Sequence, residues 1–305
     1  MSRLVATHEP MIALSASGRS RLADWVELCK LRITAMVVIT TYVGFALGEA
    51  AAVNPPGLAA LAATLIGTAL CCMGASCLNQ AYERDSDALM HRTRNRPLPA
   101  GRIATAEAVA LGLLLGVTGT GLLAALATVP AAAFAAFTIV SYAVIYTPLK
   151  RVTTLNTPIG AVPGALPPVI GYAAATGEVG PAAIALWAIM FLWQLPHFLA
   201  IAWLYREDYA RADMKMLPVV DADGASTFRQ MLIGSLALVP VGLAPTTLGI
   251  AGTAYFVIAL VSGVAFTAFA VALVITRTRI AARAMFFASL VYLPVVLIAM
   301  MIDRG

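Results

Sequence analysis

The sequence predicts an all-α polytopic membrane protein, about nine transmembrane helices around a central cavity, with the N-terminus in the cytoplasm. Three observations carry that expectation. Of 305 residues, 61% are hydrophobic and only 11% are charged, roughly half the charged fraction of a soluble domain, and the mean hydropathy is +0.87. Apolar runs of about 20 residues, the length that crosses a bilayer core, recur along the whole chain. Positive charge alternates from loop to loop in the manner that sets membrane orientation.

The spans fall near residues 33–49, 57–80, 104–125, 127–147, 157–176, 182–203, 231–250, 252–275 and 284–302. Ahead of them, residues 1–29 are polar and mixed, with no short apolar core before a cleavage site. They read as a cytoplasmic segment preceding one membrane domain, 30–305. Arg3, Arg19 and Arg21, with Lys30 and Arg32 at the join, begin the basic side. The loop after the second span adds Arg84, Arg92, Arg94, Arg96 and Arg102. Lys150 and Arg151 follow the fourth span, while Arg206, Arg211, Lys215 and Arg229 follow the sixth. Arg277, Arg279 and Arg283 follow the eighth. These five segments hold 19 of the 20 lysines and arginines, and the opposite side holds only Glu49, Glu178, Asp303 and Arg304. Adding or dropping one span would break the alternation. The pattern therefore predicts a multi-pass cell (inner) membrane protein, C-terminus outside, with long charged loops at the cytoplasmic face.

The net charge of +5 is thus spread among loops. It reads as membrane orientation, and nucleic acid is not an expected partner. Cys29, Cys71, Cys72 and Cys77 form no CxxC pair and read as small buried hydrophobes. The fifth span carries Pro158, Pro163, Pro167 and Pro168 with Gly160, Gly164 and Gly171. Such a helix is kinked, either by packing or because it lines a cavity.

Leu78 to Arg102, LNQAYERDSDALMHRTRNRPLPAGR, is the most informative stretch. Asn79, Glu83 and Asp87 are four apart, so on a helix they share one face and drift by only about 40° per step. A column of oxygen-bearing side chains at a membrane helix end suits Mg²⁺, which takes one or two carboxylates and completes its shell with phosphate oxygens and water. Asp85 points elsewhere. Arg92, Arg94 and Arg96 follow, guanidinium forks matched to phosphate oxygens. Acid column plus arginine cluster describes a metal–diphosphate site. The plainer reading, a salt-bridged loop, does not account for the four-residue register or for carboxylates at the membrane boundary.

After the sixth span, Glu207, Asp208 and Asp213 offer a second acidic cluster facing the first, though positions 208 and 213 align poorly on a helix. Lys150 and Arg151, ending the fourth span as TPLKR, stand within reach of a diphosphate. His197 lies inside the sixth span after Pro196. Such a histidine is either hydrogen-bonded to a neighbouring helix or functional, and neutral imidazole is a common ligand for haem iron.

These residues resemble a known family. NQAYERDSDALMHRTRNRPLP, YTPLKR, and WQLPHF followed by REDY and MLP are similar to protohaem IX farnesyltransferases (haem O synthases), a branch of the UbiA-type intramembrane prenyltransferases. The likeness runs from about Lys30 to the last span. It implies a bundle of nine helices that transfers farnesyl from farnesyl diphosphate to a vinyl group of haem B, within the lipid bilayer and with Mg²⁺ as cofactor. The product, haem O, would feed haem A synthase downstream. It implies a first acidic motif at Asn79, Glu83 and Asp87, a second at Asp208, and diphosphate contacts at Arg92, Arg96, Lys150 and Arg151. It also implies haem binding at His197, with Asn79, Glu83, Asp87 and Asp208 as metal ligands. Two positions depart from the pattern: Leu31 stands where proline is common, and the second motif lacks its usual DxxxD spacing. Tyr142, Tyr146, Trp193 and Trp203 are candidates to steady an allylic cation. A sibling prenylating an aromatic or quinone precursor is the nearest alternative. A transporter is the other, since a broken fifth span suits discontinuous transport helices. Transport sites, however, lie near the midplane, whereas this chain gathers its charge at one face.

Overall fold

The structure, a computed structural model, describes residues 20–304. Residues 1–19 of the expected cytoplasmic segment, with Arg3 and Arg19, lie outside the described residues. Among those described, nine helices are long and apolar enough to cross a membrane: Leu31–Ala51, Leu58–Leu89, Thr105–Leu126, Val129–Leu149, Asn156–Thr176, Pro181–Leu204, Ala225–Thr247, Thr253–Thr276 and Arg279–Ile302. They are called the first to ninth spans below. Among the described residues the only β-type pairing is an isolated bridge between Ala251 and Arg304. The chain is a multi-pass helical membrane protein, as its hydropathy predicts.

Three helices outrun their expected limits. The second span continues to Leu89, the seventh begins at Ala225 and the ninth at Arg279, so each carries polar residues beyond its apolar stretch. Hydropathy marks what lipid surrounds, whereas a helix ends where its backbone carbonyls find other donors. At 32 residues the second span is about 48 Å long, well past a hydrocarbon core of about 30 Å.

Close packing fixes the bundle. The second and third spans meet along glycines: a Cβ on Gly74 would stand 2.7 Å from the Gly112 carbonyl oxygen and 2.8 Å from the Gly116 nitrogen. Without a hydrophobic force between helices in lipid, such backbone approach is what holds them. The fifth span is broken into Asn156–Gly164 and Pro167–Thr176, because Pro167 and Pro168 supply no N–H to the preceding turn. Of its most apolar stretch, 72% is buried, the largest share of the nine, and it packs against the first, fourth and sixth spans. Its kink belongs to packing.

Two local features aim side chains at the site. A short helix, Arg21–Leu28, starts at Ser20, whose side chain accepts from the Ala23 N–H. It is tied down by Arg102 to Asp24 at 2.9 Å and by Gln80 Nε2 to the Leu28 carbonyl at 2.7 Å. Lys30 then adopts φ 50 to turn into the first span, a left-handed conformation that is rare for a side-chain-bearing residue. In the fourth span, Ser141–Tyr146 forms a π-helical turn. Pro148 two residues on has no N–H to give and crowds the carbonyl four residues back, which accounts for the widened turn.

Candidate active site

A cavity of about 580 Å³ lies at the basic-loop end of the bundle. The extension of the second span forms one wall, and there Asn79, Glu83 and Asp87 stand in a column, 1%, 6% and 1% exposed. Asp85 is on the exposed side, as its register predicts.

Each member of the column meets a cation or donor from another segment. Lys30 Nζ donates to Asn79 Oδ1 at 3.1 Å, Lys150 Nζ to Glu83 Oε1 at 2.7 Å, and Arg96 Nη1 to Asp87 Oδ2 at 2.7 Å. Asn79 is oriented from its other end, where Nδ2 donates to Thr147 Oγ1 at 3.1 Å; Thr147 in turn donates to the Tyr142 carbonyl of the π turn at 2.7 Å. Arg96 reaches back nine residues because the loop folds at once: Thr93 Oγ1 donates to the Asp87 carbonyl at 2.9 Å, and the Arg94 N–H to the Met90 carbonyl at 2.9 Å. Leu98, 1% exposed between Pro97 and Pro99, pins the loop to the core formed with Leu28 and Cys77.

The charges perturb one another. Burial works against the Lys150 ammonium, but the Glu83 carboxylate beside it overcomes that and holds its pKa well above the ordinary lysine value. Burial, with Arg96 close by, pulls Lys30 down to about 8 against the attraction of Glu83. An anion arriving beside Lys30 would favour its charged form and raise that value again.

The structure brings six of the nine sequence-predicted residues to this cavity: Asn79, Glu83, Asp87, Arg92, Arg96 and Lys150. Arg151 is outside its lining and donates to Ser86 Oγ on the neighbouring face of the second span. Asp208 sits on a short helix, Arg206–Arg211, and joins the two charged loops. It accepts from the His91 N–H at 3.2 Å and pairs with Arg211. Burial would raise its pKa, but the His91 N–H and Arg211 together hold it below the usual carboxylate value. Asp213, in a left-handed conformation, pairs with Lys215 on the surface, so the two aspartates share no face. His197 is deeper, seven residues or about 10 Å before the end of the sixth span, with Nδ1 2.7 Å from Ser289 Oγ. Of the four aromatic candidates only Tyr142 lines the cavity. Tyr146 faces Lys150 at 4.6 Å, Trp193 bonds the Ser289 carbonyl, and Trp203 packs on Phe228.

Sequence reasoning passed over the second charged loop's aromatics. Arg92 lies over the rings of Tyr205 and Tyr209, at 5.0 and 5.7 Å, and donates to the Tyr209 hydroxyl at 3.2 Å. The same loop docks on the fourth span, where the Lys215 N–H donates to the Lys150 carbonyl at 2.6 Å. The legible signal was YREDY, two tyrosines four apart beside acids and arginines. Lys30 was seen as a topogenic charge and not as a site residue.

Among the described residues, no three His, Cys, Asp or Glu side chains converge as a metal cluster. A divalent ion here would instead have two carboxylates and an amide, the sparse protein set that suits Mg²⁺ with phosphate and water. Asp87 Oδ1 is buried with no hydrogen-bond partner. A buried carboxylate oxygen left bare costs free energy unless a cation completes it, so the donor set fits such an ion.

Comparison with known proteins identifies the family. The model of the UbiA prenyltransferase family matches residues 37–291. A protein of Solibacter usitatus named protoheme IX farnesyltransferase is 45% identical over 93% of this chain and 99% of its own. One of the same name from Koribacter versatilis is 40% identical over 97% and 98%. Among solved structures, a digeranylgeranylglyceryl phosphate synthase matches with a TM-score of 0.75 at 16% identity, over 93% of this chain and 98% of that one. A UbiA homologue from Archaeoglobus fulgidus bound to GPP and Mg²⁺ matches with a TM-score of 0.64 at 16% identity, over 91% and 99%. At such identities the solved structures speak for the fold alone. The family model and the relatives go further: this chain belongs to the UbiA prenyltransferase family and, within it, to the protohaem IX farnesyltransferases.

Proposed function

We propose that the chain transfers the farnesyl group of farnesyl diphosphate to a vinyl group of haem B, giving haem O, with its charged face in the cytoplasm. One observation carries the reading. Three oxygen-bearing side chains on one helix are each met by a cation from a different segment around one cavity, and one buried carboxylate oxygen is left over.

Asn79, Glu83 and Asp87 would hold Mg²⁺, and Arg92, Arg96 and Lys150 would bind the diphosphate, while Asp208 and Arg151, outside the cavity's lining, would steady the loops and helix that carry these groups. Bound Mg²⁺ supplies positive charge against the departing diphosphate. At rest Lys150 and Arg96 neutralise Glu83 and Asp87. An arriving diphosphate offers these cations a new partner and releases the carboxylates toward the metal. Lys150, Arg92 and Arg96 then stabilise the negative charge that grows as the allylic C1–O bond ionises. The electron-rich vinyl carbon of haem captures the allylic cation, water adds to the cation formed on the porphyrin side chain, and one proton is released. No net redox change is needed. Tyr142 lies where an aromatic face can steady the allylic cation, and His197 would hold the haem.

The test is turnover of purified protein with haem B, farnesyl diphosphate and Mg²⁺, followed by mass spectrometry of the porphyrin. Haem O and free diphosphate are expected, both lost with EDTA and restored by Mg²⁺. Prenylation of an aromatic acceptor with haem B untouched would favour a sibling activity instead.

A further inference from the structure

The imidazole of the sixth span is held more completely than packing requires. His197 keeps 8% of its surface accessible. Its ring stacks on Trp193 at 4.9 Å and 22°, lies near Phe286 at 5.2 Å and 31°, and meets the edge of Phe198 at 5.3 Å. Three aromatic neighbours fix the plane of the ring. Ser289, fully buried on the ninth span, fixes the rest. Its Oγ is 2.7 Å from His197 Nδ1, and its backbone carbonyl accepts the Trp193 Nε1–H at 2.8 Å. One residue thus holds both the imidazole and the indole stacked on it.

The second partner of the Ser289 hydroxyl sets the direction of its bond to His197. Ser289 Oγ donates to the Phe286 carbonyl oxygen at 2.5 Å. Two oxygens that close require a proton between them, and the carbonyl has none, so the single hydroxyl proton is committed there. Toward His197 the hydroxyl can act only as an acceptor, and Nδ1 must carry the hydrogen. A neutral imidazole has one N–H. Nε2 is therefore left as a bare lone pair, the ring's bond to Ser289 being made through Nδ1. Histidines that ligate metals are prepared in this way, with the second nitrogen donating to a fixed acceptor that sets tautomer and orientation.

We propose that Ser289 is a positioning residue that locks His197 as the Nδ1–H tautomer and presents Nε2 to the iron of the haem substrate. The iron half of this rests on the haem reading above; the tautomer half stands without it.

The first experiment needs no haem. The chain has three histidines, so ¹⁵N-histidine NMR of the protein in nanodiscs, with His197 identified by its loss in His197→Gln, reads the tautomer directly. A protonated Nδ1 and a pyridine-type Nε2 are expected. Ser289→Ala should mix or reverse the pattern. Ser289→Thr keeps a hydroxyl able to bond the carbonyl three residues back and should preserve it. A protonated Nε2 in the wild type, or an unchanged pattern in Ser289→Ala, overturns the assignment. The second experiment titrates haem B and follows its Soret band. Ser289→Ala should weaken haem binding about tenfold with the KM for farnesyl diphosphate unchanged, and Ser289→Thr should recover it. If His197→Gln leaves the haem spectrum unaltered, the iron-facing role is wrong. Failure of the parent reading would show separately, as a wild-type protein that makes no haem O.

Discussion

Lys150 and Glu83 form the most enclosed ion pair at the site, with side chains 14% and 8% exposed, whereas Arg96, at 24%, keeps a route to water from its bond to Asp87. That difference separates two kinds of variant. Losing one partner of a buried pair leaves an uncompensated charge, at a cost of about 3–5 kcal/mol. Lys150→Met should therefore lower thermal stability in detergent as well as activity, and adding Glu83→Gln should restore the melting temperature without restoring haem O. Asp87→Ala, which frees an arginine that can turn to solvent, should insert and fold normally yet lose at least about 100-fold in turnover. Melting curves and porphyrin mass spectrometry on the same preparations decide both. A stable Lys150→Met, or an active Asp87→Ala, would contradict the assignment. At this scale the column was legible, because a four-residue register on a helix needs only the sequence. Its partners were not. Lys30 bonds Asn79 across 49 positions and Lys150 bonds Glu83 across 67, and nothing local in either segment announces the other.

The elements that position the column are held by backbone contact more than by side-chain bulk. A Cβ at Gly74 would meet backbone atoms of Gly112 and Gly116 that have no room to yield. Gly74→Ala should thus cost about 1–3 kcal/mol, seen as a lower melting temperature, while alanine at Gly57, which has open space, should leave it unchanged. Equal melting of the two would mean the seam is slack. The nine spans were readable from hydropathy and charge alternation, and the kink in the fifth from its prolines. What could not be read was where helices continue into water, as the second does through Asp87, since hydropathy is silent about backbone hydrogen bonds. The π turn was hidden for a similar reason: Pro148 signals a disturbance, but tertiary packing decides whether it becomes a kink, an end or a widened turn. Asp208 was visible as a residue, while its direction, toward the His91 N–H and Arg211, depends on how two loops fold onto each other.

For the whole molecule, the unequal distribution of lysine and arginine predicts which face looks inward. In a cysteine-free background, Ala222→Cys and Glu178→Cys place exposed thiols at opposite ends of the bundle. A membrane-impermeant maleimide should label position 178 in intact spheroplasts and position 222 only in inverted vesicles; the reverse pattern would invert the topology and put the cavity on the outer face. The length of the second span then has a consequence for supply. Its acid column is built past the helix's most apolar stretch, so a diphosphate anchored there sits at headgroup depth and its prenyl tail hangs back into hydrocarbon. Farnesyl diphosphate and haem B, the reactants proposed above, are both amphiphiles, and the prediction is that they arrive by lateral diffusion within one leaflet. The quantity that governs encounter is therefore their mole fraction among lipids, so spreading the same molecules over more bilayer starves the catalyst even when the surrounding buffer is unchanged.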